Sequence, residues 1–360
     1  MIQTSRRQCL KGLGTLAAAA AAVVASSPRA AWAQASPRRL RMLLNTAYSG
    51  PQAWLLLARE NGHLAREGLE IEFTTGAGAH TAAPRLVEGN FDLAYGDVNA
   101  LIEVAAQQRE AAPVGVFMMF NASPSTIAVR DDGPIGTPKD LEGRTIVGHA
   151  SDVALRTFSA FCSQAGVDRS RVRVQTSFAS MRSMADDVLQ SSDVHGMFGY
   201  VSTIVGATAS AGPAALAKLR FLKYAEFVPD LYGSVLMVSR RLLRDEPATV
   251  ARVVRAFNRG LADMLREPQA GIAGVARQAS GIDRAAELLR WQTTLDVEMG
   301  HADGRTRGIG DIDEARLARA IALIARSNEL PRVPALHEVF VRDHLPPPAE
   351  RVKIGAARPN

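Results

Sequence analysis

Apolar residues along the chain alternate between short β-type runs and longer stretches with helical period. Residues 40–44 predict a strand, 52–67 a helix ended by Gly68, and 69–74 an alternating strand. Residues 81–88 predict a helix stopped at Gly89 and Asn90, 91–95 a strand, and 98–108 another helix. This β-α-β-α-β-α order is the pattern of a parallel sheet flanked by helices. Two further β-type runs, 114–120 and 126–130, lead to a turn-rich connector at Asp131-Asp132-Gly133-Pro134.

The pattern then restarts. Residues 145–148, 172–176 and 194–198 predict strands, with helices at 153–165 and 181–189 between them. Ala94-Tyr95-Gly96-Asp97-Val98 and Met197-Phe198-Gly199-Tyr200-Val201 match in type, each an aromatic-ended strand, then Gly, a polar group and Val before a helix. The spacing of about a hundred residues is one β-α-β lobe, so the plan of the lobe is duplicated. A β-type run at 232–239 precedes a helix at 245–266, with Pro247 in its first turn and Val250, Val254, Phe257 and Leu261 on one face. Further helices are expected at 284–297 and 312–326. The expected domains are therefore a discontinuous first lobe (34–130 and 234–340), a second lobe (131–233) and a C-terminal tail (341–360). The extended segments 126–130 and 235–239 would bracket the second lobe as a two-strand hinge.

Ahead of the first strand, Ser5-Arg6-Arg7-Gln8-Cys9-Leu10-Lys11 precedes an apolar stretch and an Ala31-Trp32-Ala33 cleavage signal. The paired arginines resemble a twin-arginine export signal over residues 1–33, with an ordinary secretory signal as the alternative. The apolar stretch is shorter than the roughly 20 residues a membrane span needs. Charge changes meaning accordingly. The full chain of 360 residues is formally +6, but loss of Arg6, Arg7, Lys11 and Arg29 leaves 38 basic against 36 acidic side chains. A nearly neutral chain with interleaved charges argues against nucleic acid as a partner. Cys9 is lost as well, so Cys162 is left alone and cannot form an internal disulfide.

In sheets of this type, ligands bind where strand ends lead into helix N-termini. Here those loops span 45–52, 75–81, 96–99, 149–153, 177–180 and 199–202, rich in Gly, Ser, Thr and Asn. Facing lobes would join them across one cleft, a clamp for a small molecule. Catalytic alternatives are weak. Gly76-Ala77-Gly78 lacks the third glycine of a dinucleotide fingerprint, since Thr81 stands there. His149, Ser151 and Asp152 are adjacent on one loop, where caps are expected more than a converging triad. The seven histidines are scattered, which predicts no metal site, and no cofactor is expected.

Several stretches resemble the periplasmic solute-binding proteins of ABC importers, in the family that binds nitrate, sulfonates, taurine and the pyrimidine precursor of thiamine. They are Ala53-Trp54-Leu55-Leu56-Leu57-Ala58-Arg59-Glu60-Asn61-Gly62, Glu67-Gly68-Leu69-Glu70-Ile71, Leu86-Val87-Glu88-Gly89-Asn90-Phe91-Asp92-Leu93 and Thr137-Pro138-Lys139-Asp140-Leu141-Glu142-Gly143-Arg144. The resemblance implies a type II periplasmic binding protein fold of two α/β lobes with a double crossover. It further implies a periplasmic monomer without catalytic activity, delivering a small-molecule ligand to an ABC permease with its cytoplasmic ATPase. A sensory receptor, or less readily an enzyme on the same fold, is the alternative. Carried over by position, the family's ligand loops fall on Asn45, Tyr48, Ser49, Gly78, Ala79, Asp97, Asn99, Ser151, Asp152, Tyr200, Ser202 and Tyr232. No arginine is placed in these loops, Arg85 and Arg182 lying in predicted helices. Tyrosines and Asp97 then suit a flat, polar, heteroaromatic solute better than a sulfonate or organic acid.

Overall fold

A computed structural model describes residues 36–355; the export signal expected at 1–33 lies outside them. Ten strands form: β1 (Arg38–Leu43), β2 (Leu69–Thr74), β3 (Leu93–Asp97), β4 (Val114–Met118), β5 (Ser125–Arg130), β6 (Thr145–Gly148), β7 (Arg173–Thr176), β8 (Gly196–Tyr200), β9 (Leu219–Lys223) and β10 (Ser234–Val238). They make two five-stranded sheets, ordered β2-β1-β3-β10-β4 and β7-β6-β8-β5-β9. The two orders superpose element for element, so the duplication read from the sequence holds in the topology as well.

Both sheets are mixed: four strands of each run the same way, as expected of a parallel-type sheet, and one runs against them. β1 runs parallel to β2 and β3, while β10 runs antiparallel to β3 and β4. The second sheet repeats this, with β5 antiparallel to both β8 and β9. The reason is strand exchange. β5 follows β4 in the chain yet enters the second sheet, and β10 follows β9 yet returns to the first.

Two helices that periodicity predicts as continuous are broken by local chemistry, and a third starts late. The stretch 52–67 divides into Ala53–Glu60 and His63–Arg66, because Gly62 takes a left-handed φ of 73° that ends one helix and starts the next. The stretch 245–266 is one helix, Pro247–Arg266, starting two residues later than expected because the residue before a proline is pushed out of helical conformation; a separate helix, Arg240–Asp245, ends just ahead of it. The stretch 153–165 breaks at Thr157, whose hydroxyl turns back onto the Val153 carbonyl at 2.8 Å. β9 escapes the hydrophobic pattern because it is an edge strand whose Arg220 is exposed and whose Phe221 is only partly covered. The segment expected as a tail packs on the body as far as it is described. The Ile309 N–H donates to the Val352 carbonyl at 2.7 Å, and Arg351 reaches Asp311 at 2.6 Å.

The first lobe's core centres on Trp54, fully buried, with its ring edge-on to Tyr95 and Phe257 and tilted against Phe117. Helix Pro247–Arg266 lies along helix Ala53–Glu60, and Gly260 sets how closely they approach. A Cβ there would stand 2.4 Å from the Trp54 carbonyl oxygen and 2.7 Å from Ala58 Cβ. Gly260→Ala is therefore expected to destabilise the protein by about 1–3 kcal/mol through overpacking, reversing the roughly 1 kcal/mol gain alanine brings at an open helix position. Urea titration checks the sign.

Candidate functional site

The exchange of strands brings two equivalent positions face to face. β3 ends at Asp97, paired in register with Ser234; β8 ends at Tyr200, paired with Ser125. The next residue in each case donates its N–H to the opposite crossover, Val98 to the Gly233 carbonyl and Val201 to the Pro124 carbonyl, both at 3.0 Å. Gly233 passes so close to Pro124 that a Cβ would lie 2.6 Å from its ring. The Tyr200 hydroxyl then donates to Asp97 Oδ2 at 3.1 Å, joining the two sheets.

Asp97 is fully buried, and its Oδ1 accepts from the backbone and the side-chain amide of Asn99 at 2.8 and 2.9 Å. The same Asn99 amide donates to the Tyr232 carbonyl. Desolvation outweighs these bonds and pushes the Asp97 carboxyl up to about 7. Burial likewise raises Asp152 to about 6, although its side chain accepts from the Ala154 N–H at 2.7 Å. The phenol of Tyr200 is held well above its ordinary range by burial and by the carboxyls of Asp97, Asp152 and Glu298.

Beside this pair lies a cavity of about 230 Å³ between the facing strand ends. Of the residues expected to meet a ligand, Asn45, Ser49, Gly78, Ala79, Ser151, Asp152, Tyr200 and Ser202 line it. Four do not. Asp97 and Asn99 sit behind Tyr200 as its hydrogen-bonding support. Tyr48 is outside the lining, against the hydrophobic core around Trp54. Tyr232 is turned away altogether: its hydroxyl lies between Asp303 and the Asp313 N–H, and the Arg316 guanidinium stacks on its ring at 4.0 Å.

Sequence reading missed Gln52, Phe120, Met181, Thr203 and Arg290 in the lining. Gln52 and Met181 are at the edges of loops already singled out, whereas Arg290 had no local signal. It belongs to helix Arg284–Thr293, which packs along helix Val201–Ala209, where Gly206 leaves room for the Arg290 stem. The absence of an arginine from the expected site is thus corrected. The guanidinium is partly engaged: Nη1 donates to Glu287 at 3.1 Å and Nη2 to the Thr203 hydroxyl at 3.3 Å, while the buried Nε has no partner. His149, weighed above as part of a triad, also lines the cavity, and its Nδ1 lies 2.7 Å from the Ser151 hydroxyl. The backbone N–H of Ser151 points at that same nitrogen, as in a local turn. Asp152 takes up the helix-capping role instead of completing a triad.

Two α/β lobes with exchanged strands and a cavity at their facing strand ends define the fold of the periplasmic binding proteins. Within that class the chain belongs to the family described as "NMT1/THI5 like", whose profile matches residues 52–271. No curated protein matches the sequence. Among solved structures, the alkanesulfonate-binding protein SsuA from Xanthomonas axonopodis pv. citri bound to MOPS is similar with a TM-score of 0.63 and 18% identity, over 86% of this chain and 99% of that one. The periplasmic aliphatic sulphonate binding protein SsuA from Escherichia coli has a TM-score of 0.63 and 16% identity, over 90% and 96%. A desulfurization enzyme, DSZB, in complex with biphenyl-2-sulfinic acid reaches a TM-score of 0.57 at 17% identity, over 85% and 97%.

Because Asp97 holds a proton in the folded state up to about pH 7, while an unfolded aspartate releases it near 4, stability should fall as pH rises through that window. Asp97→Asn is expected to flatten this limb in thermal melts at pH 5 and 8 and to gain most at pH 8. Asp152, raised to about 6, contributes part of the remaining slope, which the double variant with Asp152→Asn should reduce further, leaving the share of Glu298 and Glu103, whose carboxyls burial also raises.

Proposed function

We propose that the protein is the periplasmic substrate-binding component of an ABC importer, capturing a small polar organic solute between its lobes. The cavity at the facing strand ends carries this reading, because it is small, lined from both lobes, and built of apolar walls with a few polar groups. Membership of the NMT1/THI5 like family supports it, as do the binding proteins among the similar structures. Among the described residues no helix is long and apolar enough to cross a membrane. Heteroaromatic and pyrimidine-like solutes suit a lining that includes the rings of Phe120 and Tyr200; an organic acid or sulfonate would draw on Arg290.

The DSZB structures show that this fold admits catalysis in another protein. Here the thiol of Cys162 is buried within helix Phe158–Ala165, outside the cavity, and burial pushes it up to about 12. A thiol so placed is a poor nucleophile, which supports a binding role.

Calorimetry with pyrimidines, aromatic acids and sulfonates tests the proposal. One class should bind one to one, and Met181→Trp, which enlarges a lining side chain, should weaken that binding by at least about tenfold. Small-angle scattering should show compaction on binding. Affinity unchanged by Met181→Trp, or a verified ligand that leaves the scattering unchanged, would refute the clamp.

A further inference from the structure

Among the described residues the chain passes between its two sheets twice, at 119–124 and at 224–233, and a single guanidinium grips both passages. Arg316, in helix Glu314–Ser327, is buried and donates from Nη1 to the Asn121 carbonyl at 2.8 Å on the first passage. On the second it donates from Nη2 to the Leu231 carbonyl and from Nε to the Pro229 carbonyl, both at 3.0 Å. The guanidinium also lies over the Tyr232 ring, 4.0 Å from its centre. Asp303 supplies the countercharge, with Oδ2 2.9 Å from Nη1, and His301 Nδ1 lies 3.0 Å from the same nitrogen. Burial alone would raise the Asp303 carboxyl, but its bonds with His301 and Arg316 hold it well below the ordinary range, so the pair stays ionised.

An ion pair does not need this geometry. Three donors of Arg316 go to backbone carbonyls on segments about a hundred residues apart. A guanidinium is a rigid planar fork, so carbonyls bonded to one fork are held at fixed mutual positions. Lobe rotation requires the few residues of such passages to change φ and ψ. Around Arg316 they cannot change independently without leaving buried carbonyls unpaired. A second set of contacts from the same C-terminal stretch acts alongside. The Ala122 N–H donates to the Glu298 carbonyl at 3.0 Å, and the Glu298 side chain accepts the N–H of Ser202 in the cavity lining. The Tyr232 carbonyl accepts the Asn99 amide that supports Asp97 behind Tyr200.

We infer that Arg316 is a positioning residue of the hinge, pinning the two passages into one unit and so setting the angle between the lobes in the empty protein. Arg316 lies outside the cavity lining. The pin therefore acts whatever the cavity takes, and it goes beyond the binding role proposed above and holds even if that role fails. Loosening it populates lobe angles other than the one in which both lobes line the cavity, and the apparent affinity for any solute then falls with the competent fraction.

Spin labels read the angle in the full chain with nothing bound. Glu72→Cys and Arg173→Cys place them on exposed positions of the edge strands β2 and β7, one in each sheet. Cys9→Ser removes the competing thiol at the N-terminus, and Cys162 is buried with its thiol pushed up to about 12. With Arg316 in place, the pulsed electron resonance distance distribution should be narrow. Arg316→Met should broaden it by about twofold or more, in a protein that still melts cooperatively. Arg316→Lys should rescue little of this, because an ammonium keeps the charge opposite Asp303 but lacks the fork. Asp303→Asn, which leaves the fork on its three carbonyls, should broaden it less than either. An unchanged width in Arg316→Met, full rescue by Arg316→Lys, or a larger effect of Asp303→Asn would overturn the pin in favour of a plain ion pair. If the Arg316 variants do not fold, hydrogen exchange on the unaltered chain decides. The amides of Ala122 and Gly233, bonded to the Glu298 and Phe120 carbonyls, should exchange as slowly as those of the central strands β3 and β10; exchange as fast as in exposed loops would overturn the pin.

Discussion

The two chain crossings at Pro124 and Gly233 constrain everything around the cleft. Each carries a strand out of the sheet its sequence neighbours occupy and into the other, and the two pass within contact of one another. Glycine at 233 is required by that approach, since any side chain there would meet the proline ring. Because both crossovers also accept the first N–H of the helix that follows a central strand, Val98 and Val201 are pinned to a common point. Asp97 and Tyr200, immediately before them, have nowhere to go except toward each other.

That meeting gives the site its electrostatic character. A carboxyl buried beside a phenol, with two further carboxyls near the same ring, is costly to ionise. Folding supplies Asn99 and the Tyr200 hydroxyl in partial compensation, and these groups hold Tyr200 at the cavity wall. Among the described residues the one guanidinium in the lining, that of Arg290, is neutralised by its own helix neighbour Glu287. Polar groups facing the cavity are therefore positioned mainly by other polar groups, and Phe120, Met181 and Pro51 supply apolar wall between them.

Much of this was legible in the residues, and the failures have identifiable causes. The strand ends at Asp97 and Tyr200 stood out because the flanking pentapeptides match, and both positions lie at the cleft. Their roles were not legible: Asp97 reads as a ligand contact until Tyr200 is seen to cover it. Tyr232 was misplaced because an exposed-looking aromatic after a turn is drawn under Arg316 by a cation–π contact from a helix some eighty residues later. Arg290 was invisible for the same reason, since it reaches the cavity from a helix interior and not from a strand-end loop. β9 was missed because an edge strand need not alternate cleanly.

Local residue patterns set most of the order of strands and helices, β9 excepted, together with the repetition of one lobe plan and the loops from which most of the lining comes. These are local properties: periodicity, glycine stops and proline starts act within a few residues and survive whatever the chain does next. Tertiary structure alone decided which strand entered which sheet, which carboxyl faced the cavity and which stood behind it, and that Arg290 would be both present and already paired. Those outcomes depend on contacts such as Tyr200 to Asp97, 103 residues apart, whose energy exists only once the crossings have brought the two ends together.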